Sequence, residues 1–282
     1  MASICTWSLT THLLSLDEPQ YKAATQHRFL KAAGEGRVPT DTLGKWLAND
    51  RLYIHAYIKA VGRILALVDL PQTTTPLGAH GEAAAPETQL IDWLIESLAG
   101  LRREERFFVE MARKYGITID LETETVTRVA GRDIQQVVPD GAKLPGLVLF
   151  EGLFSSVGLP PPVLSWLEAA VVFWGTEKVY SEAWGWARSH QQEMNDNVAA
   201  AAAASSSSLQ DADGGALRTE FIPNWANQGF VNFVQQLAGI IDSAVSKAVD
   251  VLGDDVKTSL VRRAEGVWRE LLVAEEAFWP DV

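Results

Sequence analysis

Residues 40–68, TDTLGKWLANDRLYIHAYIKAVGRILALV, decide the fold class, because they form one long amphipathic helical pattern. Thr40 or Asp41 is expected to cap the start of this helix. Asp50 interrupts the apolar face, and a carboxyl group directed at a core is costly unless it is paired or hydrogen-bonded. We therefore take Asp50 as the first candidate functional residue. The apolar residues of the pattern recur three and four positions apart, as on one face of a helix: Leu43, Trp46, Leu47, Tyr53, Ile54, Tyr57, Val61, Ile64, Leu65 and Val68.

The remainder of the chain repeats the helical pattern, with turns marked by glycine and proline. Gly116 is expected to end the helix at 88–115. Residues 117–144 are interpreted as a long ordered loop, although a short pair of extended segments also fits them. We predict an all-α, single-domain bundle of about eight helices over residues 1–282, with a mobile low-complexity Ala/Ser insert at 197–215. Besides 40–68, the predicted helices are 8–15, 17–33, 88–115, 147–157, 164–195, 222–251 and 255–279.

Composition narrows the classes of partner. The 282 residues carry a formal net charge of −12, which argues against a nucleic acid or an anionic membrane surface as partner. The only cysteine, Cys5, excludes an intramolecular disulfide and a cysteine-only metal site. The first 20 residues lack the basic and apolar regions of a secretory signal, and no apolar run reaches the ~18 residues of a membrane span. A cytoplasmic protein is expected.

Further acidic residues interrupt the apolar faces of other predicted helices. Glu105 lies between Leu101 and Phe108 in the predicted helix 88–115. The predicted helices 147–157, 164–195 and 255–279 each carry a similar acidic residue on the apolar face. One such residue alone is most simply a half-exposed or paired acid, but several on different helices would line one polar pocket. Buried acids close to one another are where shifted pKa values and acid/base roles arise. The other interrupting acids are Glu151, Glu177 and Glu275.

Two chemistries use clustered acids in a helical bundle. A di-metal site requires Glu-x-x-His pairs, and no glutamate here has a histidine three residues later, so we expect no metal and no other cofactor. The second is recognition of a nitrogen heterocycle, in which carboxyl groups bind amino and ring N–H groups while aromatic side chains enclose the ring. The residues that supply these parts are Asp50, Tyr53, Glu105, Trp174, Glu177, Glu275, Phe278 and Trp279.

Several segments resemble the TenA (thiaminase II-like) family. Residues 24–30 (ATQHRFL), 36–39 (GRVP) and 43–53 (LGKWLANDRLY) resemble its opening segment, turn and Asp-bearing helix. Residues 169–180 (AAVVFWGTEKVY) are similar to its tryptophan-bearing helix, and 275–279 (EEAFW) to its closing Glu-x-x-Phe-Trp motif. The stretches 107–116 and 221–225 resemble larger fungal members. The resemblance covers nearly the whole chain apart from 117–144 and the Ala/Ser insert.

This resemblance implies the haem-oxygenase-like all-α fold and an aminopyrimidine aminohydrolase activity of thiamin salvage. It implies that Asp50 binds the amino group and ring nitrogen of a pyrimidine, that Tyr53 lines the pocket and that Glu275 is the catalytic acid/base. The family also includes dimers and tetramers, which makes a homo-oligomer a candidate assembly. Thiaminase-type members use a cysteine nucleophile on a central helix, but residues 146–154 offer only Glu151 there. The chain is more similar to cysteine-less members that rely on acidic residues.

Three hypotheses follow. The first is a hydrolase or deaminase of an aminopyrimidine-like base, in which Glu275 activates water and Asp50 protonates or orients the ring. The second is a binding or scaffold protein that has kept the pocket without the chemistry. The third is haem binding with His27 as the axial ligand, which a Soret band would reveal. The first two predict that Asp50 and Glu275 face the same cavity.

Overall fold

Helices form nearly all of the regular structure. The computed structural model describes residues 7–70, 72, 84–127, 134–158, 163–202 and 210–282. A 3-10 turn at Asp140–Ala142 and a π-helical turn at Leu217–Phe221 complete the elements. The α-helices are α1 (Leu9–Leu14), α2 (Glu18–Thr25), α3 (Arg28–Gly34), α4 (Thr40–Leu65), α5 (Pro86–Tyr115), α6 (Pro145–Ser156), α7 (Leu167–Ala202), α8 (Ile222–Trp225), α9 (Gln228–Leu252) and α10 (Asp254–Phe278). The predicted all-α class is confirmed.

Helix α7 is the central element of the bundle. It packs against α2, α3, α8, α9 and α10. Its residues 169–174 (AAVVFW) are buried on every side, as expected for a helix surrounded by others. About two and a half turns into the helix, the polar side chains of Thr176 and Glu177 follow and face the interior. This change from apolar to polar within one helix positions the candidate site.

Helix α6 lies across α4 and α10 and holds these two helices together. At Gly146, an added Cβ would lie 2.3 Å from the backbone nitrogen of Phe278 and 2.5 Å from the carbonyl oxygen of Ala274. Glycine is therefore required where the two helices touch. Asn49 of α4 is fully buried, and its Oδ1 accepts a 2.7 Å hydrogen bond from the backbone N–H of Leu144 at the start of α6.

Helix α4 agrees with the predicted helix, although it ends at Leu65 rather than at residue 68. The predicted cap is wrong, because Pro39 precedes the first turn and no side chain caps it. Thr40 instead donates a 3.3 Å hydrogen bond to the carbonyl oxygen of Ala212. Gly116, with φ of 67°, ends α5 as expected.

Two predicted helices are each divided, which turns eight predicted helices into ten helical segments among the described residues. The helix predicted at 17–33 breaks at Gln26 and His27, where the extended His27 accepts a 3.3 Å hydrogen bond from the backbone N–H of Phe29. The helix predicted at 222–251 breaks at Ala226, and Asn227 caps α9 by accepting a 2.9 Å hydrogen bond from the N–H of Phe230. Side chains that cap a helix therefore decide both breaks.

The interpretation of 117–144 as a loop is wrong in part, because this segment contains two antiparallel strands. They are β1 (Glu124–Thr127) and β2 (Ile134–Val137), with Glu124 opposite Val137. Gln136 bonds Thr123 and Thr125 across the pair at 2.9 Å. Polar side chains on both strands leave no alternation of apolar and polar residues that would signal a strand.

The predicted Ala/Ser insert is helical at its start, since α7 continues to Ala202. Residues 203–209 lie outside the described residues. At its end, Asp213 is buried and accepts hydrogen bonds from the backbone N–H groups of Gly215 (2.9 Å) and Leu217 (2.7 Å). In the described ranges, no helix is both long and apolar enough to cross a membrane.

Candidate active site

A cavity of about 450 Å³ lies between α4, α5, α7 and the α8–α9 region. This volume falls within the usual range for small-molecule sites, and the mixture of aromatic walls with a few polar groups is typical of them. Its mouth carries Glu96 and Arg103, which are exposed. Residues that line it are Asp50, Tyr53, Ile54, Ser97, Gly100, Leu101, Glu104, Phe107, Thr176, Glu177, Tyr180, Asn224, Trp225, Asn227, Phe230 and Phe233.

Asp50 is buried in the wall formed by α4, with 4% of its surface exposed. The hydroxyl group of Tyr180 donates a 3.3 Å hydrogen bond to its Oδ2. Burial raises the pKa of Asp50 well above its ordinary value, and the nearby carboxyl groups of Glu104 and Glu177 raise it further, while the Tyr180 hydrogen bond acts in the opposite direction. These surroundings therefore favour the protonated form of Asp50 over the ionised form.

Glu177 faces the same cavity from α7. Burial raises its pKa to about 8, with a further contribution from Glu104, and Tyr57 opposes the rise. Its neighbour Thr176 also lines the cavity. The structure thus brings together Asp50, Tyr53 and Glu177, which the sequence analysis selected from two separate helices.

Glu275 lies in the last turn of α10, with 3% of its surface exposed. Burial raises its pKa well above the ordinary value, and the charges of Asp50 and Glu177 raise it further. It is therefore close enough to both residues for their ionisations to be coupled. Glu275 is not among the residues that line the open part of the cavity.

Glu104 is a site residue that the sequence analysis missed, and it replaces Glu105. Trp225 Nε1 donates a 2.6 Å hydrogen bond to Glu104 Oε1, and burial raises the pKa of Glu104 to about 7. Glu105 instead pairs with His55, whose Nε2 lies 2.7 Å from its Oε1, and with Arg102. Neighbouring residues on a helix point about 100° apart, so only one of the two acids can face the cavity.

The signal for Glu104 was present in the sequence. Ser97, Leu101, Glu104 and Phe108 are spaced four, three and four residues apart, which places them on one helix face. Leu101, Glu105 and Phe108 are also spaced three and four residues apart. Only the rotation of α5 about its axis in the bundle decides whether Glu104 or Glu105 faces the cavity.

Aromatic rings enclose the Asp50 side of the cavity. The ring of Tyr53 lies 4.9 Å from that of Phe150 and 5.8 Å from that of Phe278, centroid to centroid. Phe278 is buried behind Tyr53 and does not line the open cavity. It therefore supports Tyr53, which corrects its predicted role as a ligand contact.

Trp174 does not belong to this cavity. Its ring stacks on that of Trp268 at 5.5 Å, and it lines a second groove next to Lys178 and Trp186. Trp174 and Tyr180 are six residues apart and so point about 120° apart around the axis of α7. The structure therefore does not bring Trp174 together with Asp50 and Glu177.

The other candidates from the sequence lie elsewhere. Glu151 of α6 forms a 2.7 Å ion pair with Lys143, while Phe154 of the same helix approaches Tyr53 at 5.3 Å. His27 caps α3 and does not line the cavity. Cys5 lies outside the described residues.

Unsatisfied polar atoms also mark the cavity region. Within the described ranges, Ser97 Oγ and Tyr57 Oη are buried without a hydrogen bond of normal geometry, although Tyr57 lies close enough to Ser97 and Glu177 for both to affect its pKa. Ser97 lines the cavity, with 3% of its surface exposed. Buried polar groups of this kind are rare because each one costs free energy. Across the same ranges, His, Cys, Asp and Glu side chains form no group of three arranged to hold a metal ion.

Comparison with known proteins places this geometry in context. The chain is 23% identical over 252 residues to a protein of Fusarium pseudograminearum named a probable transcription factor, covering 83% of this chain but 45% of that protein. It is 22% identical over 259 residues to a probable bifunctional TENA-E protein of Glycine max, covering 92% of this chain and 86% of that protein. The chain thus spans about half the length of the first relative and most of the second.

A solved structure shares the fold. The TenA homologue of Pyrococcus furiosus superposes with a TM-score of 0.62 at 20% sequence identity, over 96% of this chain and 98% of that one. The bundle is therefore of the haem-oxygenase-like type found in TenA proteins. The model of the TENA/THI-4/PQQC family matches residues 17–128, which contain α4 and Asp50. Over these residues the chain is similar to the TENA/THI-4/PQQC family, and its fold is the one found in TenA structures.

Proposed function

We propose that the cavity binds an aminopyrimidine-like base and that Glu275 and Asp50 hydrolyse one of its C–N bonds, in a role like that of thiamin salvage. The observation that carries this proposal is that Asp50, Tyr53 and Glu177 line one cavity, with the buried carboxyl group of Glu275 close enough for the charges of Asp50 and Glu177 to raise its pKa. The match to the family model and the similarity to a TENA-E protein support it.

The carboxyl groups suit an amino-substituted heterocycle. An ionised carboxylate accepts hydrogen bonds from an exocyclic amino group, and a protonated one donates to a ring nitrogen. Because burial raises the pKa of Asp50, its protonated form is favoured, and that form can donate a proton to the ring. In the proposed complex, Tyr180 holds Asp50 in place and Tyr53 forms one wall around the ring.

Glu275 is the proposed general base. It takes a proton from water while the water oxygen forms a bond to the carbon that bears the leaving nitrogen. Asp50 protonates the ring nitrogen in the same step, so that the electron pair of the ring C=N bond forms the new N–H bond of the heterocycle. Collapse of this adduct breaks the C–N bond as the added hydroxyl becomes a carbonyl group. The proton held by Glu275 passes to the departing nitrogen, and the hydroxyl proton returns to the carboxylate of Asp50. Acids with raised pKa values suit both directions of proton transfer.

The experiment is an assay of ammonia and formate release from amino- and formylamino-pyrimidines. Wild-type protein is expected to turn over at least one of them, and Glu275→Gln is expected to lose roughly 100-fold or more, as for removal of a general acid/base. Glu151→Gln is the matched control, since Glu151 pairs with Lys143 away from the cavity. Absence of turnover by wild-type protein contradicts the enzymatic proposal.

A second candidate function is binding of the same base without turnover. It is favoured by the way α6 meets Tyr53, since Phe150 and Phe154 are the side chains that approach it, and neither is a nucleophile. Calorimetry with the same pyrimidines distinguishes the two functions. Binding that Asp50→Asn weakens, together with no release of ammonia or formate, supports the binding protein, and no binding contradicts both.

A further inference from the structure

A second groove runs along a different face of α7 from the cavity that Asp50 lines (the Asp50 cavity). Its volume is about 620 Å³, and residues of α1, α2, α7 and α9 surround it. Within the described ranges, none of the residues that line this groove also lines the Asp50 cavity. The groove is therefore a separate site, and its volume is in the usual range for small-molecule sites. The residues of its α7 wall are Trp174, Lys178, Ser181, Glu182, Gly185 and Trp186.

Gly185 leaves bare backbone in the wall of the second groove. It lies in the interior of α7, where glycine is less favourable than alanine. An added Cβ would meet no atom of the described residues within 4 Å, so packing does not require a glycine at this position. Glycine also serves where a ligand must approach the backbone closely. The wall at Gly185 is therefore open to a flat ring that lies directly on the helix.

Tryptophan rings stand at the two ends of this wall. Trp186 is half-buried beside Gly185, and the ring of His190 packs edge-on against it at 4.5 Å. Trp174 lies twelve residues earlier, which is about 18 Å along the helix, and its ring stacks on that of Trp268 at 5.5 Å. Both rings are thus held in place by other rings. Fixed aromatic surfaces favour an aromatic ligand, because ring stacking adds to the gain from apolar burial.

One ion pair supplies the charged groups of the groove. Lys178 Nζ lies 2.5 Å from Glu182 Oε1, and the hydroxyl group of Tyr21 donates a 2.7 Å hydrogen bond to Glu182 Oε2. Lys178 and Glu182 are the two charged residues among the described residues that line the groove, so its net formal charge is zero. An ammonium group has three N–H donors, and pairing with Glu182 leaves donors for a ligand. Glu182 and Gly185 are three residues apart and share one helix face, which places these donors near the open wall.

We propose that the second groove binds an uncharged planar aromatic compound that carries a carbonyl or ring-nitrogen acceptor. The ring system lies over Gly185 beside Trp186, and Lys178 donates a hydrogen bond to the acceptor. A ligand without net charge suits a groove whose two charges cancel. This site is independent of the proposed hydrolysis, because the described residues that line the second groove and the Asp50 cavity are different.

Acridone is the probe, because it is planar, uncharged and fluorescent and carries one carbonyl acceptor. Its fluorescence anisotropy is expected to show saturable binding to wild-type protein. Gly185→Leu should weaken binding at least tenfold, because the new side chain takes the place of the ring. Lys178→Met should weaken it roughly three- to 30-fold, as for loss of a hydrogen bond from a charged donor. Urea unfolding checks that Gly185→Leu is folded, and leucine is favoured over glycine in a helix.

Gly100→Leu is the matched control. Gly100 lies inside α5 and lines the Asp50 cavity, and the nearest atom to an added Cβ is Arg103 Nη2 at 3.9 Å. This variant should bind acridone within about twofold of wild type. Losses in Gly185→Leu and Lys178→Met but not in Gly100→Leu support the site.

Four results overturn the proposal. They are no saturable binding of acridone by wild-type protein, equal affinities in Gly185→Leu and wild type, equal affinities in Lys178→Met and wild type, and equal losses in Gly185→Leu and Gly100→Leu. Light scattering adds a fifth, since a change of oligomeric state in Gly185→Leu would assign the groove to a contact between copies of the chain.

Discussion

Tyr180 Oη lies 3.3 Å from Asp50 Oδ2 and joins the two helices, α7 and α4, that form opposite sides of the cavity. The two residues are 130 positions apart in the chain. This hydrogen bond is the direct link between the acid that the sequence analysis selected first and the aromatic helix at the centre of the bundle.

Replacing Tyr180 by Phe should disturb Asp50 without disrupting the bundle. Loss of the donor raises the pKa of Asp50 further, since the Tyr180 hydrogen bond lowers it. We expect a loss of about 0.5–1.5 kcal/mol in the free energy of unfolding, together with weaker binding of an aminopyrimidine. Urea denaturation and calorimetry measure the two effects.

Tyr115→Phe is the control for this change. Tyr115 also donates to a carboxyl oxygen, that of Glu220 at 3.0 Å, but it lies at the end of α5 and does not line the cavity. Pyrimidine binding should be the same as in wild type. Equal affinities in Tyr180→Phe and wild-type protein would contradict a role for Tyr180 in positioning Asp50.

The stability of the fold should decrease as the pH rises from about 5 to 8. The pKa of Glu177 is about 8 in the folded protein, against an ordinary value of 4.5. Between these values the folded state keeps a proton that the unfolded state has lost, so the free energy of unfolding falls with pH by up to ~1.4 kcal/mol per pH unit for this residue. Above pH 8 its contribution is constant.

The variant Glu177→Gln removes this contribution, together with the effect of the Glu177 charge on Asp50 and Glu275, while groups remote from Glu177 titrate equally in both proteins. The free energy of unfolding, measured in urea at several pH values, should fall less steeply in the variant than in wild type between pH 5 and 8. Glu151→Gln, whose carboxyl group is paired with Lys143 and partly exposed, should follow the wild-type profile. Parallel profiles for Glu177→Gln and wild type would show that Glu177 does not hold its proton in the folded state.

Gly146→Ala should displace the end of α10 that carries Glu275. The added methyl group would lie 2.3 Å from the backbone nitrogen of Phe278, so α6 and α10 must separate. Overpacking of this kind costs about 1–3 kcal/mol. We expect a lower midpoint of urea unfolding and loss of any turnover that depends on Glu275.

Gly152→Ala on the same helix is the matched control. A Cβ there would meet nothing within 4 Å, and alanine is favoured over glycine in a helix by up to about 1 kcal/mol. This variant should be as stable as wild type or slightly more stable. If both variants unfolded alike, the close contact between α6 and α10 would not be a constraint.

The sequence predicts most of the helices because their apolar residues recur with helical spacing. The predictions fail where a side chain caps a new helix inside a periodic stretch, or where a strand has no alternating pattern. His27 and Asn227 cap new helices inside stretches whose periodicity continues unbroken, so periodicity alone misses both breaks. The strand pair β1–β2 is polar on both sides and gives no signal of alternation.

Some residues of the candidate site could be identified from the sequence and others could not. Asp50 and Glu275 could be selected from the sequence, because each interrupts a strongly apolar helix face whose direction is unambiguous, and both are buried. Glu105 was selected in place of Glu104, and Trp174 in place of Tyr180, because two stripes on one helix fit the periodicity equally well. Only the packing of neighbouring helices shows which stripe faces the cavity.

The sequence by itself determined the all-α class, the long helix around Asp50 and the presence of carboxyl groups on several apolar helix faces, since these depend on spacing along one helix. The tertiary structure alone decided which acids meet. Rotation of α5 by one residue step, about 100°, separates Glu104 in the cavity from Glu105 beside His55. That rotation is set by contacts between residues far apart in the chain, such as Trp225 with Glu104, which no local pattern encodes.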